Sequence, residues 1–295
     1  MSVLTRRAHL VGALLPVAAL TVSGLLVQPA TAAPKPKPGP PDTTVEVIAH
    51  RGSSGAAPEN TLAAVRLALR HRADVVENDI QRTSDGELVI VHDTTLTRTT
   101  DVEEVFPDRA PWNVADFTLA EIKRLDAGSW FDPSFAGERV PTLREWVRAV
   151  GGRAGMLLEP KAPALYPGID IDLDKELRSM PRFRSALRRD EVVVQSFDHA
   201  WLRGYKDLAP DVPVGLLFGA RPSPAQVAEA ATWAEQVNPA LAVAGEATIT
   251  QVHQAGMEIH VWTVNTGQDM RRTARWGVDG IITNYPQVLR GIVGR

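Results

Sequence analysis

The chain has 295 residues, of which 44% are hydrophobic and 23% charged, so it has enough apolar material for a substantial core. Its formal net charge of -3 gives no reason to expect a nucleic-acid partner, which usually requires a basic face. The absence of cysteine excludes disulfides, thiol nucleophiles and cysteine-ligated zinc.

Residues 1–33 have the pattern of a secretory signal peptide. Arg6 and Arg7 precede an apolar run from Leu10 to Val27, and small residues follow at positions 30–33. The run is short for a transmembrane anchor and contains proline and glycine. We therefore expect a secreted protein without a stable membrane anchor, exported by the Sec route or, given the paired arginines, by the twin-arginine route.

Residues 34–42 follow as a Pro-rich spacer, which should be extended and exposed. We expect residues 43–295 to fold as a single domain, because neither a repeat nor a second linker interrupts them.

Within this domain, short β-branched or apolar runs alternate with helix-like stretches. The predicted strands are Val45–Ala49, Val75–Ile80, Leu88–Val91, Gly155–Glu159, Val192–Gln195, Val214–Leu217, His260–Val264 and Gly280–Thr283. The predicted helices are Thr61–His71 with Asn60 as its N-cap, Asp174–Leu187, Pro224–Glu235 and Asp269–Trp276. Eight strands alternating with helices favour an α/β fold, a TIM-type (β/α)8 barrel.

Two stretches fit this pattern less well. Residues 81–87 are too few for a parallel crossover between the second and third predicted strands, and Asp85-Gly86 is a hairpin signal. We expect an irregularity there. Residues 237–241 could add a ninth, short strand.

Glu77 and Asp79 are two residues apart on a predicted strand, so their side chains point to the same face. Two buried carboxylates repel each other, and a divalent cation would relieve that repulsion. All-oxygen ligands favour Mg²⁺ or Ca²⁺, and Ca²⁺ is the more available outside the cell. The alternative is an outward-facing polar pair, but the flanking Val75, Val76 and Ile80 favour a strand buried on both faces.

His50 and His92 end the first and third predicted strands, and the carboxyl ends of barrel strands meet at one mouth. Two imidazoles there could act as general acid and general base, although a single histidine is more often a packed or solvated residue. Arg51 offers a fork of donors to an anion. At the end of the fourth strand, Glu159 could be a third metal ligand and Lys161 could face the same anion. Such a set suits a phosphodiester.

A series of motifs in this order resembles the glycerophosphodiester phosphodiesterase family, relatives of phosphatidylinositol-specific phospholipase C. The motifs are IAHRG at 48–52, PENT at 58–61, ENDIQRTSDG at 77–86, VHD at 91–93, RTTD at 98–101, VPTLREW at 140–146, LEPK at 158–161, QSF at 195–197, VWTVN at 261–265 and GVDGIITNYP at 277–286. Together they cover nearly the whole of residues 43–295.

The resemblance implies hydrolysis of glycerophosphodiesters to sn-glycerol 3-phosphate and an alcohol, with one divalent ion, Ca²⁺ or Mg²⁺, as cofactor. It implies that His50 and His92 form a catalytic pair and that the metal ligands are Glu77, Asp79 and Glu159. It also implies that Arg51 and Lys161 contact the phosphate and that the pocket is lined by Ser196, Phe197 and Trp262. For Phe197 and Trp262 the alternative is a place in the barrel core.

The chain departs from the family pattern at a few points. Pro160 precedes Lys161 where an apolar residue is usual, which puts the placing of Lys161 in doubt. Asn284 stands where aspartate is common, and we assign it no catalytic role. Residues 98–140 are few, so the large insertion of some relatives should be short or absent.

Two other functions are compatible with these residues. One is a phospholipase D-type hydrolysis of lysophospholipids at the same site. The other is a secreted protein that holds a phosphodiester without cleaving it, although both histidines, all three acidic residues and the lysine are present. The motifs imply a small-molecule substrate and no protein partner.

Overall fold

The computed structural model describes residues 45–294, and the predicted signal peptide and spacer lie outside this range. The strands of this part are Glu46–Ala49 (β1), Val75–Arg82 (β2), Leu88–Ile90 (β3), Gly155–Pro160 (β4), Val192–Ser196 (β5), Val214–Phe218 (β6), Gln236–Pro239 (β7), Glu258–Val261 (β8) and Gly280–Thr283 (β9). Its α-helices are Leu62–Arg70 (α1), Val102–Val105 (α2), Leu119–Ile122 (α3), Leu143–Val150 (α4), Ile169–Ser179 (α5), Pro181–Leu187 (α6), His199–Leu208 (α7), Pro224–Ala230 (α8), Glu246–Gln254 (α9), Gly267–Arg275 (α10) and Pro286–Val293 (α11).

Eight of these strands close into a parallel barrel. Their order is β1-β9-β8-β7-β6-β5-β4-β2, and the pairing of β1 with β2 completes the ring. Helices follow the strands around the outside, as the alternating sequence pattern predicts. The predicted TIM-type (β/α)8 barrel is therefore confirmed.

The third predicted strand is not part of the barrel. β3 pairs antiparallel with β2, with Ile90 opposite Ile80 and Leu88 opposite Arg82. The short connection between them turns at Gly86, whose φ of +89° is readily available to glycine. Counting Leu88–Val91 among the eight barrel strands was wrong, and β7, considered only as an optional ninth strand, takes the eighth place.

The main core lies between the sheet and its helices rather than inside the barrel. Outward-facing residues of the strands, such as Val76 and Leu158, pack there with buried aromatic side chains from the helices, such as Trp146 and Phe183. Within the barrel, a small apolar cluster centred on Ile48, Leu157 and Ile282 is separate from it. Polar residues therefore occupy much of the interior towards the mouth.

Several predicted helix boundaries shift for identifiable reasons. Thr61, not Asn60, is the N-cap of α1, because the Thr61 side chain accepts a hydrogen bond from the Ala64 amide. The predicted helix 174–187 is two helices, since Pro181 has no amide hydrogen with which to continue α5 and instead begins α6. The other predicted helices differ from the observed ones only at their ends. For example, α8 was predicted to reach Glu235 but stops at Ala230.

An insertion of residues 91–142 lies between β3 and α4 and contains the two short helices α2 and α3. It is small, as predicted, yet it has its own buried apolar cluster. The members are Val89, Val91, Leu96, Val102, Val114, Phe117, Ile122, Leu125, Ala127 and Val140. The segment is consequently a folded unit attached to the barrel mouth. None of the helices within residues 45–294 combines the length and apolar character needed to cross a bilayer.

Candidate active site

The sheet register brings the three predicted acidic residues together. Glu77 and Asp79 lie on β2, and Asp79 is directly opposite Glu159 on the neighbouring β4. One carboxylate oxygen from each of the three lies within 4.8 Å of the others, and all three residues are buried. The alternative of an outward-facing pair is therefore wrong.

The electrostatics of this acidic triad, Glu77, Asp79 and Glu159, favour a bound cation. Glu77 Oε1 and Asp79 Oδ1 have no hydrogen-bond partner among the described residues. Burial, and then the charge of Asp79, raises the pKa of Glu159 to about 7 and raises the pKa of Glu77 well above its usual range. Buried carboxylate oxygens that are unpartnered and hard to ionise are suited to a hard divalent ion. The donor set thus fits Ca²⁺ or Mg²⁺.

Arg51 connects the triad to the β1–α1 loop. Its backbone amide donates to Glu77 Oε2 at 2.7 Å, and its φ of 54° turns the chain so that the side chain also reaches the acidic residues. Nε lies 3.2 Å from Asp79 Oδ2, and Nη1 donates to Glu59 Oε1 at 2.9 Å. Arg51 therefore lies where a phosphate near the triad would be in reach of its donors.

Lys161 lies on the other side of the triad. Nζ donates to Glu159 Oε1 at 2.6 Å and is 3.6 Å from Asp79 Oδ1. Pro160 does not displace it, because the Lys161 amide donates to the Ile80 carbonyl at 2.9 Å and continues the β2–β4 ladder. The doubt that Pro160 raised about the placing of Lys161 is removed.

His50 follows β1 at the mouth, and its Nδ1 donates to Asn284 Oδ1 at 2.6 Å. Burial, and then the charge of Arg51, lowers the pKa of His50 to about 4, so its imidazole is neutral near neutral pH. Nε2 is then the lone-pair nitrogen, which is the form a general base requires.

His92 reaches the mouth from the hairpin and not from a barrel strand, so the predicted reason for its position was wrong although the position holds. The antiparallel β3 runs back towards the triad, and the Val91 amide donates to the Asp79 carbonyl at 3.0 Å. Nδ1 of His92 donates to Asp93 Oδ1 at 2.6 Å. Hydrogen bonds from Arg98 lower the pKa of Asp93 to about 2, so this acceptor is ionised.

The predicted pocket residues lie next to the triad but differ in what they contact. An open cleft of about 540 Å³ runs from Glu159 and Lys161 past Ser196 and Phe197. Ser196 is buried and its Oγ accepts from the Asp198 amide at 3.1 Å, so it shapes the loop after β5. Phe197 is 49% exposed, which excludes it from the barrel core.

Trp262 is partly buried and completes the aromatic wall. Its ring packs edge-on against Phe197 with centroids 5.4 Å apart, and its Nε1 donates to the Asn238 carbonyl at 2.7 Å. Lys161 Nζ is 5.6 Å from the centroid of the Phe197 ring. The cleft thus has an aromatic side and a charged side.

Sequence reasoning missed two asparagines that contact the site. Asn60 was interpreted as a helix cap, yet its Nδ2 donates to Asp79 Oδ2 at 2.8 Å. Asn284 was given no role, yet it binds His50. Asn60 belongs to the PENT motif, so that motif was the available signal, whereas the β1–β9 closure that places Asn284 was not readable from local sequence.

Glu59, Asp93 and Arg98 were also missed as members of the site. Arg98 donates to both carboxylates, at 2.7 and 2.9 Å to Glu59 and at 2.6 and 3.1 Å to Asp93. These three residues lie in the PENT, VHD and RTTD motifs, but nothing in the motifs indicates that they meet.

A TIM barrel with an acidic triad, two imidazoles, a guanidinium and an ammonium at its mouth defines a class of protein: a hydrolase of phosphate esters with a place for a divalent ion. Comparison with known proteins narrows this class. Residues 50–288 match the model of the glycerophosphoryl diester phosphodiesterase family. The chain belongs to this family and is a phosphoric diester hydrolase.

Individual relatives agree with this placement. The chain is 34% identical to a glycerophosphodiester phosphodiesterase of Bacillus subtilis over 94% of its own length and 95% of that protein. It is 38% identical to one of Caldanaerobacter subterraneus over 84% of this chain and 97% of that protein. A phosphodiesterase of Oleispira antarctica, solved with the product sn-glycerol-3-phosphate, is 29% identical with a TM-score of 0.74, covering 85% of this chain and 97% of that one.

Proposed function

We propose that the chain hydrolyses glycerophosphodiesters to sn-glycerol 3-phosphate and a free alcohol, with a divalent ion held by Glu77, Asp79 and Glu159. The observation that carries the proposal is the convergence of these carboxylates within 4.8 Å, beside Arg51 and Lys161. Three buried acidic groups side by side, two of them with an oxygen that has no partner among the described residues, have no evident structural purpose of their own. When bound, the ion would neutralise charge on the phosphodiester and polarise it.

The chain's own cations would bind the substrate anion. Arg51 presents a planar fork on one side of the triad and Lys161 a point charge on the other. A phosphodiester seated between them would have its non-bridging oxygens near both cations. The aromatic wall of Phe197 and Trp262 would then border the organic groups.

The two histidines would divide the proton transfers. His50 is neutral and is held by Asn284 with Nε2 unprotonated, so it is suited to take a proton from the nucleophile. His92, held through Nδ1 by Asp93, would give a proton from Nε2 to the leaving alkoxide. The nucleophile is either water or the neighbouring glycerol hydroxyl, and the second route passes through a cyclic phosphate.

Release of sn-glycerol 3-phosphate from glycerophosphocholine by EDTA-stripped protein, with and without added Ca²⁺ or Mg²⁺, tests the proposal. We expect activity only with added metal, and its loss in His50→Ala and His92→Ala. Full activity after exhaustive chelation would reject the metal role. ³¹P NMR during turnover distinguishes the nucleophiles, since only attack by glycerol oxygen produces a cyclic intermediate.

Hydrolysis rates on a panel of substrates determine the substrate class. The relatives named above are glycerophosphodiester phosphodiesterases, which favours small diesters over lysophospholipids. We therefore expect glycerophosphocholine to be cleaved faster than lysophosphatidylcholine. A reversed preference would favour the phospholipase D-type alternative, and tight binding without turnover would favour a binding protein.

We also propose that residues 1–33 direct export, on the strength of the Arg6-Arg7 pair and the apolar run that follows. Secretion of the full chain should require this segment. Replacing both arginines by lysine distinguishes the routes, because a twin-arginine signal loses export and a Sec signal retains it.

A further inference from the structure

Arg98 lies at the centre of a chain of ionic hydrogen bonds that ends on two residues of the candidate site. On one side, its Nε and Nη2 donate to Asp93, whose Oδ1 accepts from His92 Nδ1 at 2.6 Å. On the other side, its Nη1 and Nη2 donate to Glu59, whose Oε1 accepts from Arg51 Nη1 at 2.9 Å. A single guanidinium thus holds both carboxylates that orient His92 and Arg51.

The geometry of Arg98 is specific in a way that a single surface ion pair is not. It makes a two-point contact with each of two carboxylates, and four of its five N–H groups are used. Its side chain is 42% exposed, so these contacts contribute little to global stability. Their effect is to fix the orientations of the Glu59 and Asp93 carboxylates, because rotating either one would break a charge-assisted hydrogen bond.

The position of Arg98 is itself fixed by the insertion. Leu96, two residues before it, is fully buried in the insertion's apolar cluster, and Thr100 Oγ1 donates to the Leu96 carbonyl at 2.6 Å. Glu59, by contrast, belongs to the barrel loop between β1 and α1. Arg98 therefore transmits the placement of the folded insertion to the barrel mouth.

We propose that Arg98 is a positioning residue that sets the orientation of His92, through Asp93, and of Arg51, through Glu59, at the same time. The proposal rests on the proposed function for the roles of His92 and Arg51. It assigns Arg98 no contact with substrate. It also gives the insertion a purpose, which is to hold one guanidinium between two carboxylates at the mouth.

Arg98→Gln tests this, with Arg66→Gln as a matched control. Arg66 also bridges the barrel and the insertion, by a 2.9 Å contact with Glu138, but it does not touch Glu59 or Asp93. We expect Arg98→Gln to lower kcat about ten- to a hundredfold, as for other residues that orient catalytic groups, with an unchanged melting temperature. Arg66→Gln should leave kcat and KM as in the wild type.

Two further readouts separate positioning from simple tethering. The inhibition constant of the product sn-glycerol 3-phosphate should rise in Arg98→Gln, because Arg51 loses its orientation. Arg98→Lys keeps the charge but lacks the fork, and we expect its kcat to stay close to that of Arg98→Gln.

Imidazole NMR of the full chain provides a readout that does not need activity. The Nδ1–H tautomer of His92 should dominate in the wild type and in Arg66→Gln, and both tautomers should be populated in Arg98→Gln. Kinetic constants and a His92 tautomer ratio within twofold of the wild-type values in Arg98→Gln would overturn the proposal. So would equal losses in Arg98→Gln and Arg66→Gln accompanied by a lower melting temperature. A wild-type chain without hydrolase activity but with the expected tautomers would instead reject the proposed function alone.

Discussion

Nδ1 of His50 lies 2.6 Å from Oδ1 of Asn284, and this contact joins the ends of β1 and β9 at the closure of the barrel. An amide oxygen only accepts hydrogen bonds, so the imidazole donates from Nδ1 and, when neutral, has its lone pair on Nε2. The backbone amide of Asn284 donates to Asn265 Oδ1 at 2.9 Å, so the start of this loop is itself anchored.

Asn284→Asp should move the acidic limb of the pH–rate profile to higher pH. Burial, and then the charge of Arg51, lowers the pKa of His50 to about 4, and a carboxylate at the same distance would favour the imidazolium and raise that pKa. The base is then protonated at a higher pH and activity is lost earlier on acidification. Asn284→Ala is the control, since it removes the contact without adding charge and should lower kcat with no upward shift. Superimposable profiles for Asn284→Asp and the wild type would show that His50 is not the base.

Metal should stabilise the chain more strongly at mildly alkaline than at mildly acidic pH. The pKa of Glu159 is raised to about 7 from an unfolded value of 4.5, so its contribution to the stability of the metal-free protein is present below pH 4.5 and lost as pH rises to 7. A bound cation needs the ionised form and reverses that loss. At a hundredfold excess over Kd it should add about 2.7 kcal/mol to the free energy of unfolding.

Thermal melts of EDTA-treated protein with Ca²⁺ or Mg²⁺ added across this pH range measure the effect. Glu159→Gln should flatten the pH dependence of the metal-free protein, and Asp79→Asn should abolish both the metal-induced shift and activity. An equal shift in melting temperature in wild type and Asp79→Asn would place the ion elsewhere.

Asn78→Leu should stabilise the fold. Asn78 is fully buried on β2 between Val76 and Ile80, and neither atom of its amide has a hydrogen-bond partner within residues 45–294. An unsatisfied buried amide costs about 1–3 kcal/mol, so an apolar residue of similar size should raise the free energy of unfolding by about that amount. Urea unfolding measures it.

Asn238→Leu is the matched comparison, because this asparagine is equally buried but bonded. Its Nδ2 donates to Gln195 Oε1 at 3.0 Å and its Oδ1 accepts from the His260 amide at 3.2 Å. We expect it to destabilise. Destabilisation of both variants by similar amounts would mean that Asn78 is satisfied in solution.

Phe197→Ala should reduce kcat/KM for glycerophosphocholine by about tenfold, because the cleft loses the exposed face of its aromatic wall. Stability should change little, since the ring is half exposed. Leu208→Ala on α7 removes another exposed apolar side chain, 45% accessible, and should leave the kinetics unchanged. Steady-state kinetics on both variants measures these effects. A kcat/KM of Phe197→Ala equal to that of the wild type would contradict the prediction.

Local sequence patterns were sufficient to predict the features of the fold and the site that depend only on residues close together in the chain. The spacing of Glu77 and Asp79 predicted two carboxylates on one face, and the β-branched runs located most barrel strands. The pairing of Asp79 with Glu159 depends on sheet register between segments about eighty residues apart. The position of Glu159 at a strand end indicated a possible third ligand, but not that it lies directly opposite Asp79.

The wrong predictions also arise where the structure depends on contacts between distant segments. Leu88–Val91 has the composition of a barrel strand, and only its short connection to β2 indicated the hairpin. Asn60 precedes a helix, which is the usual place of a cap, but its left-handed φ of 61° turns it into the site and leaves capping to Thr61. The cluster of Glu59, Asp93 and Arg98 forms only when the insertion packs on the mouth, and no single motif contains it.

The antiparallel hairpin means that the two imidazoles come from separate modules. His50 is carried by the barrel itself, whereas His92 arrives on a strand outside the ring and is oriented from the folded insertion. Trimming the protein to a bare barrel would keep the acidic triad while discarding one of the two histidines of the proposed proton-transfer pair. Conversely, a graft that exchanges residues 88–142 between relatives would replace His92 and its orienting carboxylate in a single step, which makes this segment a natural unit for re-engineering the barrel mouth.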